Sequence, residues 1–303
     1  MRIKYEQPFV CENSYKSILG QRPLWDWRQD KLLWIDIHEN KIIETDQDVQ
    51  KENFYLVPEG ITNILLQDNE NYLMSSADSL FSLHSSISKK QLLTKINFKN
   101  KKDRINDADI DINGQIWIST MDTQQQSETG MVIGYNSNFD PIFKDGSYII
   151  SNGPIFDYER NIGYVTDSIK RIIYSFSMND ISSSGFQKKI FLSLNNFDGN
   201  PDGMVVDKNG NLWVAMWGSG KVCCFDKSSN LKLILQLPVS KVTSCAFGGS
   251  NLNELYITTA SVGLNDIEAE RQPHAGKIFK FITQEQGYAS NCYRSENISN
   301  LYH

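Results

Sequence analysis

The stretch NLWVAMWGSGKVCCFD at residues 211–226 contains two short apolar runs on either side of a glycine-containing turn. The first run, NLWVAM, and the second, KVCCFD, are rich in residues that favour strands. Two such runs joined by a short turn predict an antiparallel hairpin. An isolated hairpin cannot bury its apolar faces, so this unit must pack against similar units.

Runs like NLWVAM, here called marker runs, recur along the chain at a spacing of 38 to 49 residues. The other five are LLWIDI at 32–37, YLMSS at 72–76, QIWIST at 115–120, IGYVTD at 162–167 and ELYITT at 254–259. Each is followed by a partner run, and these are KIIETD, SLFSLH, GMVIGY, RIIYSF, KVCCFD and KIFKF. A strand repeat of about 40 to 50 residues is typical of a β-propeller blade. Six repeats in 303 residues therefore predict an all-β, six-bladed β-propeller, and we interpret residues 1–303 as a single domain.

The segments between the runs agree with this assignment. Asn113-Gly114 and Asn209-Gly210 precede marker runs as tight turns. The polar stretches 84–104, 121–130 and 179–188 are expected to form surface loops, one of which could overhang a mouth of the propeller. Closing the ring usually requires a strand from one terminus to complete the blade made by the other, and IKYEQPFV at 3–10 is the predicted closing strand.

Composition argues against several classes of function. The net charge of −6 comes from acidic and basic residues mixed along the chain, which leaves no basic patch for nucleic acid or for an anionic membrane. No apolar stretch is long enough for a signal peptide or a membrane span, so we expect a soluble, cytoplasmic protein with a small-molecule partner. The five cysteines show no CxxC spacing and the four histidines no paired motif. The sequence thus predicts reduced, mostly buried thiols and no histidine-based metal site.

Polar residues recur 11 to 13 positions before the central residue of each marker run. They are Gln21, Thr62, Asn106, Asn152, Asp202 and Ser244. Because the innermost strands of a propeller begin beside its axial channel, we expect these side chains to converge there. Carboxamide, hydroxyl and carboxylate oxygens suit a hard divalent cation or a polyhydroxylated ligand. The alternative is that they only complete hydrogen bonds at the strand starts or to channel water.

Longer segments around these residues resemble a known family. They are LGQRPLWD at 19–26, RIND at 104–107, SNGPIF at 151–156, NPDGMVVDKNGNLWVAMWGSGKV at 200–222 and LPVSKVTSCAFGG at 237–249. Together they resemble the regucalcin/gluconolactonase family, also called the senescence marker protein and luciferin-regenerating enzyme family, over nearly the whole chain. The resemblance implies a six-bladed propeller that hydrolyses a sugar lactone with one divalent metal ion in its central channel.

The resemblance also implies roles for individual residues. Asn152 and Asp202 match metal ligands of the family, and Asp202 also matches the base that activates water. Arg104 and Asn106 match positions that contact the substrate. Two further candidate substrate contacts are Asp122, in the place of a family acid, and Thr62, from the axial ring.

One position departs from the family pattern. The third metal ligand of the family is a glutamate, and here Gln21 stands in its place, followed by Arg22 where a small residue is usual. A glutamine offers a carbonyl oxygen without a charge, so a site with one carboxylate attracts a dication less strongly. We therefore expect a weakened but functional metal-dependent lactonase. The sequence does not choose among calcium, zinc, magnesium, manganese and iron as its ion.

Two other functions remain open. The chain could be a non-catalytic propeller that binds a small polar ligand, or a calcium-linked regulatory protein. The stretches that begin at Asp111 and Asp207 superficially resemble calcium-binding loops, but they lack a glutamate at the twelfth position. Their location between predicted strands favours hairpin turns.

Overall fold

The marker runs and partner runs form the second and third strands of six separate β-sheets. The computed structural model describes residues 3–57, 60–182 and 186–294. Each sheet is a blade with four antiparallel strands, and the first strands of consecutive blades contact one another in a closed ring. This arrangement is a six-bladed β-propeller, so the predicted fold is confirmed.

The strands occupy equivalent places in each blade. The first, innermost strands are β3 (Gly20–Asp26), β7 (Asn63–Gln67), β11 (Asp103–Ile110), β15 (Ser151–Asp157), β19 (Asn200–Val206) and β23 (Val242–Gly248). The second strands are β4 (Lys31–Asp36), β8 (Tyr72–Ser75), β12 (Ile116–Asp122), β16 (Ile162–Asp167), β20 (Leu212–Trp217) and β24 (Glu254–Thr259). The third strands are β5 (Lys41–Asp46), β9 (Ser79–Leu83), β13 (Gly130–Tyr135), β17 (Ile172–Ser177), β21 (Lys221–Phe225) and β25 (Phe279–Ile282).

The fourth, outermost strands come from two parts of the chain. Blades 1 to 5 end with β6 (Glu52–Leu56), β10 (Lys90–Lys95), β14 (Pro141–Tyr148), β18 (Lys189–Ser193) and β22 (Leu231–Gln236), whereas blade 6 ends with the N-terminal β2 (Phe9–Val10). Two short strands, β1 (Lys4–Glu6) and β26 (Cys292–Tyr293), add a fifth strand to blades 5 and 2. A short α-helix, α1 (Asp266–Arg271), lies between β24 and β25, and a 3₁₀ turn covers Met178–Asp180.

The predicted closing strand is confirmed, and the structure divides it between two blades. Phe9 and Val10 pair with Lys280 and Phe279 in antiparallel fashion, which completes blade 6. Strand β1 instead pairs in parallel with the outer strand of blade 5. The two pairings connect the N-terminal segment to blades 5 and 6, so they cover outer strand edges that would otherwise be open.

The core lies between neighbouring blades and is built from the marker runs. Trp34, Trp117, Trp213 and Tyr256 are each at most 1% exposed. Trp117 lies in an aromatic cluster, with its ring 5.2 Å from that of Phe143. The adjacent Cys223 and Cys224 belong to different clusters, on opposite faces of blade 5, and both are free thiols as predicted.

Two predictions about connecting segments have different outcomes. The turns after Asp111 and Asp207 are hairpin turns, as predicted, because each carboxylate accepts backbone hydrogen bonds within its own turn and one from a tryptophan indole. The stretch 84–104 was expected to be a loop, but it contains β10, which pairs with β9 and completes blade 2. The polar surface of an outermost strand explains the error, because only one of its faces is buried. Part of the third stretch, residues 183–185, lies outside the described residues.

Residues 283–294, here called the strap, follow the last blade and cross the ends of the inner strands. They contact blade 6, through Gly287 with Leu252, and the five other blades as well. Those contacts are Gly287 with Asp207, Tyr288 with Tyr158, Ser290 with Trp27, Asn291 with Ile110, and β26 with β7. The strap therefore closes one end of the axial channel. Within the described parts of the chain, no helix has the length and apolar character needed to cross a membrane.

Candidate active site

The beginnings of the inner strands are irregular, and this irregularity shapes the site. The pairing of the first and second strands shifts register in blades 1, 3, 4, 5 and 6, near Gln21, Asn106, Asn152, Asp202 and Thr243 respectively. Prolines 23, 154 and 201 lie within or beside these bulges, and each lacks the N–H that a regular ladder requires. A bulge redirects side chains, so these strands can aim polar groups at the axis.

Five predicted site residues from four blades line one cavity of about 240 Å³ at the open end of the channel. They are Gln21, Arg104, Asn106, Asn152 and Asp202. The sequence separations among them reach 181 residues, so only the closed ring of blades brings them together. Four of the six residues that the repeat predicted to converge are therefore in this cavity, together with Arg104, which the family resemblance suggested; Thr62 and Ser244 do not line it.

A chain of amide contacts fixes the orientation of the polar groups. The Gln21 side chain directs Nε2 at both oxygens of Asp202, at 3.4 and 3.3 Å. Asn106 donates from Nδ2 to Asn152 Oδ1 at 3.1 Å and to the Ser151 carbonyl at 3.0 Å. Asn152 in turn donates from Nδ2 to Ser168 Oγ at 2.8 Å. Both hydrogens of the Asn106 amide are thus in use, and the atom that it can offer to a ligand is Oδ1.

The carboxylate of Asp202 lies in an environment that disfavours its charge. Burial raises the pKa of Asp202 to about 8, and the nearby Asp107 adds to this effect, while the hydrogen bond from Gln21 opposes it. The Arg104 guanidinium also favours the charged carboxylate, although burial lowers the pKa of Arg104 itself. Arg104 donates to the carbonyl of Ile105 at 2.8 Å, so its position is fixed by the backbone of its own strand.

Arg22 extends inward from β3, not away from the channel. Its guanidinium lies 3.5 Å from Asp107 and 3.2 Å from Asp109, and it donates to the Ala108 carbonyl. Asp107 also accepts a hydrogen bond from the backbone N–H of Gly153, in the bulge that follows Asn152. Arg22 therefore links blade 1 to blade 3, and through Asp107 to the bulge of blade 4. Burial raises the pKa of Asp109 to about 6 despite the opposing charge of Arg22.

The residues present fit a hard divalent cation by donor type. Asp202 supplies one carboxylate, and Asn152 and Gln21 supply carboxamide oxygens, all lining the same cavity. The described residues contain no group of three or more His, Cys, Asp or Glu side chains able to hold a metal. A set of one carboxylate and two carboxamides contains only one side chain of those four types. The absence of such a group from the described residues is therefore compatible with a cation site formed by Asp202, Asn152 and Gln21. Because Gln21 turns Nε2 toward Asp202, Oε1 is the atom that it would offer to a cation.

Two predicted substrate contacts do not line the cavity. Asp122, at the end of β12, accepts backbone hydrogen bonds from Gln124, Gln126 and Ser127, which lower the pKa of its carboxyl and fix the following turn. Thr62 lies just before β7, where its hydroxyl is 2.7 Å from that of Ser75. In blade 2 the inner strand pairs without a register shift, so no bulge turns Thr62 toward the ligand space.

Several residues around the cavity were not predicted. Ser168, Ile169 and Trp217 come from the ends of second strands or the turns after them, and Gln125 comes from the 121–130 loop. That loop therefore lies at the mouth, as one of the polar stretches was expected to do. These residues lie outside the starts of the inner strands, and no periodic pattern in the sequence marks the residues that the neighbouring turns contribute.

Comparison with known proteins gives the family of the chain. The family described as SMP-30/Gluconolactonase/LRE-like region matches residues 19–261. A Bacillus subtilis (strain 168) protein named "Putative sugar lactone lactonase YvrE" is 29% identical over 287 residues, which cover 92% of this chain and 96% of that protein. Regucalcin of Xenopus laevis is 26% identical over 279 residues, covering 89% and 92%.

The fold has solved counterparts as well. The crystal structure of a calcium-binding protein, regucalcin, from Agrobacterium tumefaciens str. C58 superposes with a TM-score of 0.89 at 21% identity, covering 97% of this chain and 99% of that one. At this identity the likeness shows the fold alone. The family match covers all five residues that converge on the cavity, and on that basis the chain belongs to the SMP-30/gluconolactonase/LRE-like family.

Proposed function

We propose that this chain is a metal-dependent hydrolase that opens a lactone ring, with Asp202 as the base that activates water. The family includes lactonases, and a sugar lactone is the substrate that the name of the Bacillus subtilis relative suggests. The observation that carries the proposal is the convergence of Asp202, Asn152, Gln21, Arg104 and Asn106 on one axial cavity.

The reaction requires few groups, and this chain has candidates for each role. A divalent cation held by Asp202, Asn152 and Gln21 would supply Lewis-acid polarisation of the lactone carbonyl. Asp202 accepts a proton as the oxygen of water forms a bond with the carbonyl carbon. The ring C–O bond then breaks, and the same carboxylic acid returns the proton to the departing alkoxide. The product is an open-chain hydroxy acid.

Arg104 and Asn106 position the substrate in this scheme. The Arg104 guanidinium donates hydrogen bonds to substrate oxygens, and Asn106 Oδ1 accepts one from a substrate hydroxyl. Ser168 acts through Asn152, because its hydroxyl accepts from Asn152 Nδ2 and so leaves Oδ1 for the ligand side. Fixed donors and acceptors of this kind lower the entropic cost of reaching the transition state.

The test begins with protein freed of metal by a chelator. Ring opening of glucono-δ-lactone and of unsubstituted δ-valerolactone is followed with a pH indicator after addition of Ca²⁺, Zn²⁺, Mg²⁺, Mn²⁺ or Fe²⁺, with elemental analysis of the purified chain in parallel. We expect at least one ion to restore hydrolysis. The same rate with and without every metal, or no ring opening above the uncatalysed rate, would contradict the proposal.

A matched pair of variants identifies the base. Asp202→Asn removes the carboxylate inside the cavity, while Asp198→Asn removes one whose side chain is 85% exposed four residues away. Only the first variant should lose activity. If the metal-free protein binds a lactone but hydrolyses none after addition of any ion, the chain is instead a non-catalytic propeller that binds a small polar ligand.

A further inference from the structure

The wall of the cavity differs in character from its floor. The polar groups at the floor are surrounded nearer the mouth by Leu19, Ile150, Ile169 and Trp217. Ile169 is 41% exposed, and the other three are partly exposed. Single exposed apolar side chains are ordinary, but four that line the same cavity favour a ligand with an apolar part.

The backbone holds this apolar wall in place. Leu19 forms an isolated β-bridge with Ala260, Met121 with Ile150, and Trp217 with Lys241. Each bridge joins the mouth ends of neighbouring blades, namely 1 with 6, 3 with 4, and 5 with 6. The carbonyl of Ile150 accepts a further hydrogen bond from the backbone N–H of Ser168, next to Ile169. The wall is therefore preformed, which reduces the entropy lost when a ligand packs on it.

The amide side chains at the floor have few N–H donors left for a polyol. Both amide hydrogens of Asn106 are in use, Asn152 donates from Nδ2 to Ser168, and Gln21 points its Nε2 at Asp202. A sugar lactone carries a hydroxyl on most of its ring carbons, and each buried hydroxyl without a partner costs binding energy. An apolar substituent makes no such demand and gains from the wall.

We propose that the substrate of this chain is a lactone that carries an apolar alkyl substituent, in preference to a polyhydroxylated sugar lactone. This inference rests on the proposed function and names the substrate class of the same site. The carbonyl end of the lactone lies at the polar floor, among Asp202, Arg104 and Asn152. The alkyl chain lies against Ile169 and Trp217.

The test compares δ-valerolactones that carry methyl, propyl or pentyl at the ring carbon next to oxygen with glucono-δ-lactone. Burial of each methylene should raise kcat/KM roughly threefold to fourfold until the wall is covered. The pentyl compound should then exceed glucono-δ-lactone by at least about tenfold. Ile169→Asn should reduce the gain from methyl to pentyl by about threefold or more. Ile112→Asn, at an isoleucine that is 58% exposed on the β11–β12 turn, should leave the gain unchanged.

A binding measurement separates this inference from hydrolysis itself. Titration calorimetry with the matching δ-lactams, which are slow to hydrolyse, should show affinity rising with chain length in the wild type and less steeply in Ile169→Asn. Hydrolysis that is fastest with glucono-δ-lactone and does not increase with chain length overturns the inference and leaves the proposed function intact. If lactam affinity rises with chain length but no lactone is hydrolysed, the result supports a ligand with an apolar alkyl substituent and overturns the proposed hydrolase activity. No gain in either series overturns the apolar ligand.

Discussion

The two ends of the axial channel are built from the same inner strands, yet their aspartates have different surroundings. At the closed end, Asp26, Asp111, Asp157 and Asp207 lie at or just after the strand ends and are at most 1% exposed. Each carboxylate accepts a hydrogen bond from a backbone N–H group of its own turn. A side chain also donates to each one, namely Arg28 to Asp26, Trp117 to Asp111, Arg160 to Asp157 and Trp213 to Asp207. At the open end, the side-chain donor to Asp202 is a single amide at 3.3 to 3.4 Å.

The difference shows that the partners of a buried carboxylate, more than its burial, indicate its role. A carboxylate whose lone pairs are all taken by the fold has a structural function. A carboxylate with spare lone pairs in a cavity can accept a proton or a cation. The first group is therefore expected to affect stability, and Asp202 to affect activity.

The largest expected effect is the loss of rate in Asp202→Asn. Removal of a general base lowers kcat by about 10²- to 10⁴-fold. The free energy of unfolding should stay the same or rise at neutral pH, because burial disfavours the ionised form of this carboxyl, whereas the amide of asparagine does not ionise. Steady-state kinetics and urea unfolding measure the two quantities on the same preparation. Full activity in the variant would show that the carboxylate has no catalytic role.

The opposite result is expected for Asp207→Ala at the closed end. The change removes hydrogen bonds to the backbone N–H groups of Asn209 and Asn211 and to the indole of Trp213. Buried donors left without an acceptor should lower the free energy of unfolding by roughly 3 kcal/mol. The kcat of the folded protein should be unchanged, as judged from assays below the melting transition. A loss of rate without a loss of stability would contradict the division between the two ends.

A smaller effect is expected when the open end regains a second carboxylate. Gln21→Glu adds a negative charge next to Asp202 and should tighten divalent cation binding by about tenfold to a hundredfold. Calorimetric titration with Ca²⁺ and Mn²⁺ measures this directly. Without metal, repulsion between the two carboxylates should lower the melting temperature, and a saturating cation should reverse the loss. The conservative variant Gln21→Asn is the control and should not tighten binding.

The smallest expected effect concerns acid stability at Asp26. Burial opposes the charge of this carboxyl, but hydrogen bonds from Arg28 and Tyr72 outweigh that effect and lower its pKa. Its contribution to stability is therefore present above the ordinary aspartate pKa of about 3.9 and is lost as the pH falls through the folded value. Asp26→Asn should cost about 1–2 kcal/mol from pH 5 to 7 and progressively less below pH 4. Urea unfolding across this range checks the trend, and a difference that grows on acidification would refute it.

Much of the fold could be predicted from local patterns. The marker runs alternate with turns at a regular spacing, and residues such as Trp117 and Trp213 are buried as that pattern requires. The same register located Asn152 and Asp202 at the starts of inner strands. These inferences succeed because strand pairing within a blade involves residues close in sequence.

Features that depend on residues far apart in the sequence were harder to predict. Thr62 matched the polar ring in sequence, but blade 2 lacks the bulge that redirects such residues in the other blades. That Asp122 contacts the substrate stays a prediction, but its carboxylate does not line the cavity and accepts hydrogen bonds from the turn that follows it. No pattern in the sequence predicted the strap or its parallel pairing with β7, because paired residues such as Cys292 and Leu66 are separated by more than two hundred residues.

By itself, the sequence determined six repeating blades and placed polar residues at the starts of their inner strands, because periodicity and turn residues act over short distances. Only the tertiary structure decided which of those residues share a cavity, where Arg22 points, and how Ile169 and Trp217 form a wall around it. The physical reason is that the direction of a side chain near the axis depends on bulges and on contacts from other blades. Those contacts exist only once the ring has closed.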